Sequence, residues 1–230
     1  MGLIALVLGL LFLEILIVHS KNEQQKNASN QVQTARIMAN GDLLYHDGLY
    51  MSALQSDGSY DFTENFTYVK PWLKQADLVL GDFEGTINPD YPLSGYPLFN
   101  APQSVTAAIK DAGYDVMDLA HNHILDSGLE GAFTTSDAFK KVGIDPVGVY
   151  EKPVRDKAPL LIKNVNGIKV AILSYAYGYN GLESNLTDKE VADHLSNLDE
   201  KRMKAEIQRA EKEADITVIM PQMGVEYRLE

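Results

Sequence analysis

The sequence predicts an α/β domain with a largely central β-sheet over residues 35–230, on two observations. Short apolar runs repeatedly end in polar turns that contain glycine, asparagine or aspartate. Segments with the apolar spacing of helices lie between several of these runs. Alternation of strands and helices is typical of domains in which helices cover a mainly parallel sheet.

Five apolar runs are predicted as strands, each short enough to cross a sheet once. They cover residues 36–39, 76–80, 115–120, 169–175 and 216–220. The fourth run follows Asn166-Gly167, a pair typical of a hairpin turn. The other four end in polar residues that a sheet edge would present to solvent.

Three helices are predicted in the same region. Residues 105–112 and 129–142 precede Gly113 and Gly143, and glycine is the residue typical of the position just beyond a helix end. Residues 199–214 are rich in Glu, Lys and Arg with spaced alanines, which indicates an exposed amphipathic helix.

The N-terminus carries an apolar run over residues 3–18 that only Glu14 interrupts. As a helix it would reach about 24 Å, short of the ~30 Å hydrocarbon core. An uncleaved signal anchor, a cleaved signal peptide and a buried core helix all stay open. We expect the anchor, because no small-residue cleavage site stands out before Ser20.

This interpretation gives three segments. Residues 1–19 are the signal anchor or transmembrane helix, and residues 20–34, rich in Gln, Asn and Ser, are a flexible spacer. Residues 35–230 are the globular domain. We therefore expect a single-pass protein of the cell membrane, with the cytoplasmic membrane as a partner and the domain outside the cytoplasm.

Composition excludes two classes of site. A formal net charge of −12 would repel nucleic-acid phosphates, so we expect no nucleic-acid partner. The chain has no cysteine, which excludes disulfides, cysteine-ligated zinc and an acylated-cysteine anchor.

Side chains typical of metal ligands follow three of the predicted strands. They are Asp42, then Asp82 with Glu84, and then Asn122 with His123. Ligand sites in α/β sheets collect at the carboxyl ends of strands, so we expect these side chains to meet. Oxygen donors with one imidazole suit divalent Mn, Zn, Fe or Mg.

Four sequence motifs that follow one another along the chain together resemble those of a known protein family. They are NGD at 40–42, ADLVLGDFEGTI at 76–87, AHNHILDSG at 120–128 and ADITVIMPQMGVEY at 214–227. Together they resemble the CapA-type poly-γ-glutamate capsule biosynthesis family, which is related to calcineurin-like metallophosphoesterases. The resemblance covers residues 35–230 and implies a metallophosphoesterase-like layered sandwich with a central β-sheet.

The resemblance also implies roles for single residues. Asp42 would ligate one metal ion, Asp82 would bridge two, and Asn122 would bind the second. His123 would lie beside the scissile group. Glu84 is the acid of the second family motif and joins the metal candidates.

The chain departs from the phosphoesterase pattern at two positions. Leu44 and Gln222 stand where histidines are expected, and Gln222 offers an amide oxygen as a weaker ligand. The final histidine pair of the pattern would follow Glu230, so we expect that the C-terminal part of the fold is missing from this chain.

The function expected from the resemblance is capsule or poly-γ-glutamate biosynthesis with a metallophosphatase-like site, and possible partners are synthase subunits and the anionic polymer. Whether the domain is a metal-dependent hydrolase stays open. One alternative is a non-catalytic module of the same fold that binds the polymer or a synthase. Another is a general cell-surface phosphodiesterase.

Overall fold

The computed structural model describes residues 32–224. The predicted signal anchor and most of the predicted spacer lie outside this range, as do the last six residues. Within residues 32–224, no helix combines the length and the apolar character needed to cross a membrane.

Four parallel strands in chain order form the first sheet. They are β1 (Ile37–Asp42), β2 (Leu78–Asp82), β3 (Val116–Asp118) and β4 (Asp145–Val147). Parallel neighbours need crossover connections, which here carry helices. The helices are α1 (Asp47–Ala53), α2 (Lys70–Leu73), α3 (Ser104–Ala112) and α4 (Gly128–Lys141).

The helix ends agree with the glycine signals in the sequence. Gly113 follows α3 with φ of 117°, and Gly143 lies two residues beyond α4 with φ of 76°. Both values lie in the left-handed region, where a side chain would be strained. The first three predicted strands are present as β1, β2 and β3. Strand β4 was not predicted because two of its three residues, Asp145 and Pro146, are of types depleted in strands.

Three strands form the second sheet, in the order β5-β6-β7. Strands β5 (Leu161–Val165) and β6 (Ile168–Ala176) make the hairpin predicted from Asn166-Gly167, and β7 (Ile216–Gln222) pairs parallel with β6. Helices α5 (Asp188–His194) and α6 (Glu200–Glu213) connect β6 to β7. Short 3-10 helices cover Thr63–Phe66, Arg155–Lys157 and Leu182–Asn185.

The β-structure is therefore divided between two sheets, where the sequence predicted one central sheet. Strand β6 explains the division, because it is apolar and buried on both faces. Val170 and Ile172 pack with Leu80 and Val116 of the first sheet. On the other face, Tyr175 packs in a cluster with residues of α6, so the layers are stacked around β6.

The carboxyl ends of strands from both sheets meet at one edge. The backbone N–H of Leu43, just after β1, donates to Asp82 O at the end of β2 over 2.7 Å. The backbone N–H of Asn122, in the loop after β3, donates to Gln222 Oε1 at the end of β7 over 2.6 Å. This edge holds the candidate site.

A candidate metal centre at the carboxyl edge of the sheets

Three aspartates end three neighbouring strands at the same height. Asp42 of β1 is opposite Asp82 of β2, and Asp82 is opposite Asp118 of β3. Asp42 is exposed, whereas Asp82 and Asp118 are buried. Parallel pairing sets this arrangement, because strands in register bring their last residues side by side.

Asp42, Asp82 and Glu84 form a cluster of possible ligands. One carboxylate oxygen of each lies within 4.8 Å of those of the other two. Glu84 follows Asp82 by two residues and is also buried. This cluster unites the candidates from the first two motifs, and its donor atoms are the hard oxygens that Mg²⁺ and Mn²⁺ prefer.

The electrostatics of the cluster fit a bound cation. The pKa of Asp82 is raised to about 9, chiefly by burial and then by the nearby carboxylates of Asp118, Glu84 and Asp42. Asp82 Oδ1 is buried and accepts no hydrogen bond from any residue in the described range. A divalent cation would compensate both the repulsion and the unsatisfied oxygen.

Asp118 lies beside Asp82 on the neighbouring strand and adds to the negative charge of the cluster. Ser174 Oγ of β6 and the backbone N–H of Ala120, at 2.8 Å, donate hydrogen bonds to Asp118 Oδ1. Burial nevertheless raises the pKa of Asp118 to about 7, with these two hydrogen bonds acting against the rise. Asp118 thus adds negative potential behind Asp82.

Asn122 and Gln222 form a reciprocal amide pair. Gln222 Oε1 accepts from the Asn122 backbone, and Gln222 Nε2 donates to Asn122 Oδ1 over 2.9 Å. Asn122 Nδ2 in turn donates to Asn180 Oδ1 over 3.1 Å. The structure brings these candidates together across 100 residues of sequence, and each amide oxygen already accepts one hydrogen bond. Their roles as metal ligands stay predictions.

His123 is held by a carboxylate. Its Nδ1 lies 2.8 Å from Asp126 Oδ2, which also accepts the backbone N–H of Phe99 over 2.6 Å. The Phe99 ring packs edge-on against the imidazole with centroids 4.8 Å apart. Because a carboxylate only accepts, this contact favours the tautomer with its proton on Nδ1. Nε2 then faces Glu84 Oε1 at 4.0 Å.

His121 is a buried imidazole in the same loop as His123. It is fully buried, and its Nδ1 lies 3.2 Å from the backbone nitrogen of His123, which donates to it. Burial lowers the pKa of His121 to about 3, so the ring is neutral at ordinary pH. Within residues 32–224, the acidic cluster includes neither His121 nor His123.

Two residues of this site were missed by the sequence analysis. Asp118 ends its strand as Asp82 does, and aligning the strand ends would have found it. Asp126 lies one helical turn beyond His123 in sequence, a spacing that indicates contact only when the loop conformation is known.

Comparison with known proteins gives a consistent result. The family model for the bacterial capsule synthesis protein PGA_cap matches residues 36–230. The capsule biosynthesis protein CapA of Bacillus anthracis is 31% identical over 171 residues, which cover 70% of this chain and 41% of that protein. The PGA biosynthesis protein CapA of Bacillus subtilis strain 168 is 26% identical over 227 residues, covering 97% and 57%.

The chain thus spans 41% and 57% of the lengths of these two relatives. Among solved structures, it is similar to a Staphylococcus aureus protein described as a 5′-nucleotidase in complex with α-ketoglutarate. The TM-score is 0.52 at 13% identity, over 85% of this chain and 39% of that one. This likeness concerns the fold alone, which is a mixed α/β fold with a parallel sheet.

Proposed function

Because this chain belongs to the bacterial capsule synthesis protein family PGA_cap, we propose that it takes part in forming a capsular or poly-γ-glutamate polymer. In this proposal the domain binds a divalent metal ion, of Mn, Zn, Fe or Mg, through Asp42, Asp82 and Glu84. The domain is held outside the cytoplasm by the N-terminal apolar run. Synthase subunits and the anionic polymer are its proposed partners.

The observation that carries the metal site is the convergence of three carboxylates around a buried oxygen of Asp82. Three carboxylates converge within 4.8 Å, and Asp82 Oδ1 is buried without a hydrogen bond from the described residues. Such an arrangement costs free energy, because like charges repel and a buried polar oxygen needs a partner. Perturbed carboxyl groups of this kind are typical of functional sites.

The residues around the cluster have distinct proposed roles. A bound cation would supply Lewis-acid polarisation of a phosphoryl or carbonyl oxygen. Asp126 orients His123 so that Nε2 faces the side of Glu84, where it could accept a proton from an attacking water and then pass that proton to the leaving oxygen. Asn122 and Gln222 close the site with their paired amides.

Calorimetric titration of Mn²⁺ and Zn²⁺ into the full chain tests the site. We expect binding by the wild type, and no measurable binding by Asp82→Ala, which removes the central ligand. Asp90→Asn is the matched control, because Asp90 is an exposed acid outside the cluster. Equal binding by all three proteins would show that the cluster is not a metal site.

A second candidate is a non-catalytic module that binds polymer or a synthase. It is favoured by Leu44, which is an apolar residue in the first loop, and by the amide oxygens of Asn122 and Gln222, which already accept hydrogen bonds. A chromogenic phosphodiester assay with Mn²⁺ separates the two. Turnover that is lost in His123→Asn supports the hydrolase. Turnover of many different phosphodiesters, by a protein whose deletion leaves the capsule of the cells intact, would support a general cell-surface phosphodiesterase. Metal binding without turnover supports the module.

The proposed location has its own test. External protease added to intact cells should remove the domain while cytoplasmic marker proteins survive. Digestion that requires prior disruption of the membrane would contradict an extracytoplasmic domain.

A further inference from the structure

A loop rich in exposed apolar residues lies beside the candidate site. Tyr91, Leu93, Tyr96 and Leu98 are 52%, 37%, 72% and 45% exposed, and we call residues 91–98 the tyrosine loop. The loop lines a cavity of about 510 Å³. Clusters of exposed apolar side chains on a soluble domain mark interaction sites, whereas single ones are common.

The tyrosine loop is held in place by buried hydrogen bonds. Asn100 Nδ2 donates to the carbonyls of Asn88, Tyr91 and Pro92 over 3.0–3.1 Å. Asn100 Oδ1 accepts the backbone N–H of Asn88 over 2.8 Å. Ser94 and Asn100 also exchange two backbone hydrogen bonds. Exposed tyrosines on a fixed loop lose little entropy when a ligand binds.

At Gly95 the tyrosine loop packs closely against His46 and Asp47. A Cβ at this position would lie 2.6 Å from Asp47 Oδ1 and 2.9 Å from the ring of His46. His46 Nε2 also accepts the backbone N–H of Tyr96 over 3.4 Å. His46, the N-cap of α1, and Asp47, its first residue, therefore pack directly against the tyrosine loop.

The cavity adjoins the imidazole of the candidate site. Asp126 lines the cavity and holds His123 Nδ1 over 2.8 Å. Phe99, which follows the tyrosine loop, packs its ring on the same imidazole. A ligand in the cavity would therefore be one side chain away from His123.

The residues that line the cavity indicate which class of ligand it can bind. Its ionisable acids are Asp47 and Asp126, and no Lys, Arg or His is among the described residues that line it. An anionic polymer or a phosphate would be repelled here. Asp126 Oδ2 accepts two hydrogen bonds, Asp126 Oδ1 is buried without one from the described residues, and the whole side chain is 1% exposed, so it offers a full cation little accessible surface. The Asp47 side chain is 65% exposed, so water screens its charge. Tyrosine rings, proline and leucine offer an apolar face.

We propose that this cavity is a subsite for an uncharged saccharide unit, which stacks on Tyr91 and Tyr96 and donates hydroxyl hydrogen bonds to the polar rim. The subsite rests on the proposed function, because it places a sugar-bearing substrate or acceptor next to His123. It names the substrate class of that site as one with a neutral sugar portion.

Ligand-observed NMR titration of the full chain tests the subsite in buffer with EDTA, so that binding is independent of metal. The probes are neutral tetrasaccharides of glucose, galactose and N-acetylglucosamine, with a tetramer of γ-linked glutamate and putrescine as charged comparators. We expect at least one tetrasaccharide to bind, and Tyr96→Ala and Tyr91→Ala to weaken it about tenfold or more. Tyr68→Ala is the matched control, because Tyr68 is 89% exposed and does not line the cavity.

Three results would overturn the subsite. They are no binding by any tetrasaccharide, binding that both tyrosine variants leave unchanged, and tighter tyrosine-dependent binding of the glutamate tetramer or putrescine. Failure of the saccharide subsite can be distinguished from failure of the proposed function. Asp82→Ala should keep saccharide binding while losing metal, and a failed subsite would leave the metal titration of the wild type unaffected.

Discussion

Two buried charged clusters of this domain differ in how their charges are compensated. At the carboxyl edge, Asp82 is surrounded by other carboxylates, and one of its oxygens has no hydrogen bond from the described residues. Between the 3-10 helix Arg155–Lys157 and α6, Arg155 is also buried, yet both its Nε and Nη2 donate to Glu206 over 2.9 and 3.0 Å. Burial alone therefore does not distinguish a functional cluster from a structural one.

The Arg155 cluster is complete within the chain. Arg155 Nη1 donates to the carbonyl of Leu195 over 3.1 Å and to Asn197 Oδ1 over 3.2 Å. The Tyr175 hydroxyl donates to Glu206 Oε2 over 2.8 Å, and the guanidinium lies 5.7 Å from the Tyr175 ring centroid. Every charge has an opposite partner here, so the cluster needs no ligand. At the carboxylate cluster, Asp82 Oδ1 accepts no hydrogen bond from the described residues, which is why we propose a metal ion there.

The largest effect is expected from breaking the compensated pair. Arg155→Met should lower the free energy of unfolding by about 3–5 kcal/mol, because Glu206 loses the partner that compensates its charge. Adding Glu206→Leu to this variant should recover most of the loss. Urea unfolding of the two single variants and the double variant measures both effects. A loss below about 1 kcal/mol in Arg155→Met would show that the pair is not the structural centre of this region.

The next largest effect is expected from metal binding at the carboxylate cluster. Mn²⁺ at about 100 times its dissociation constant should stabilise the wild type by ~2.7 kcal/mol, since it binds only the folded state. Asp82→Asn should lose this gain and should be more stable than the wild type without metal, because it removes a buried carboxyl among like charges. Thermal unfolding with and without Mn²⁺, and with EDTA, gives the comparison. Metal stabilisation that survives in Asp82→Asn would contradict the assignment.

The two clusters should also differ in pH dependence. The folded pKa values of Asp82, about 9, and Asp118, about 7, lie above the usual value of 3.8 expected in the unfolded chain. Across this window the folded state holds protons that the unfolded chain has released, so stability is lost as pH rises from about 4 toward 9. We expect Tm of the metal-free wild type to fall between about pH 5 and pH 8.5.

Mn²⁺ should reverse this trend, because a cation binds the deprotonated carboxylates. Asp82→Asn should show a shallower fall than the wild type in EDTA. A metal-free Tm that rises steadily over this window would contradict the raised pKa values. The Arg155 pair gives a useful internal control, since Arg155→Met should lower Tm at both ends of the range.

The smallest effect is expected from an exposed ion pair on the same helix as Glu206. Lys204 and Glu200 are paired in α6 with side chains 69% and 83% exposed. Lys204→Ala should change the free energy of unfolding by about 0.2–0.5 kcal/mol, because water screens the pair. Urea unfolding of Lys204→Ala and Arg155→Met under the same conditions compares their free energies of unfolding. An effect as large as that of Arg155→Met would show that ion-pair number, not burial, governs stability here.

The sequence predicted much of the site because local chemistry marks strand ends. Asp42, Asp82, Glu84, Asn122 and His123 each follow an apolar run, and the structure has all five at one edge. The motifs also predicted the family correctly. Side chains that follow a buried strand are positioned by the sheet itself, so their proximity follows from alternation and parallel pairing.

Long-range partners were not predictable in the same way. Asp118 receives its hydrogen bond from Ser174 across 56 residues, and Arg155 meets Glu206 across 51. Nothing in the local pattern selects one serine or glutamate over the others. The division into two sheets was missed for a related reason, because an apolar strand such as β6 fits a single central sheet as well as a stacked pair.

The sequence by itself determined the α/β alternation, the glycine ends of helices α3 and α4, the acidic character of the domain and the candidate ligands after β1, β2 and β3. These features depend on neighbours within a few residues, where backbone preference and apolar spacing act directly. Only the tertiary structure decided that Asp126 holds His123, that Gln222 pairs with Asn122, and that Asp82 Oδ1 is buried without a hydrogen bond from residues 32–224. Those outcomes depend on burial and on contacts between distant segments, which set the cost of a charge only after the chain has folded.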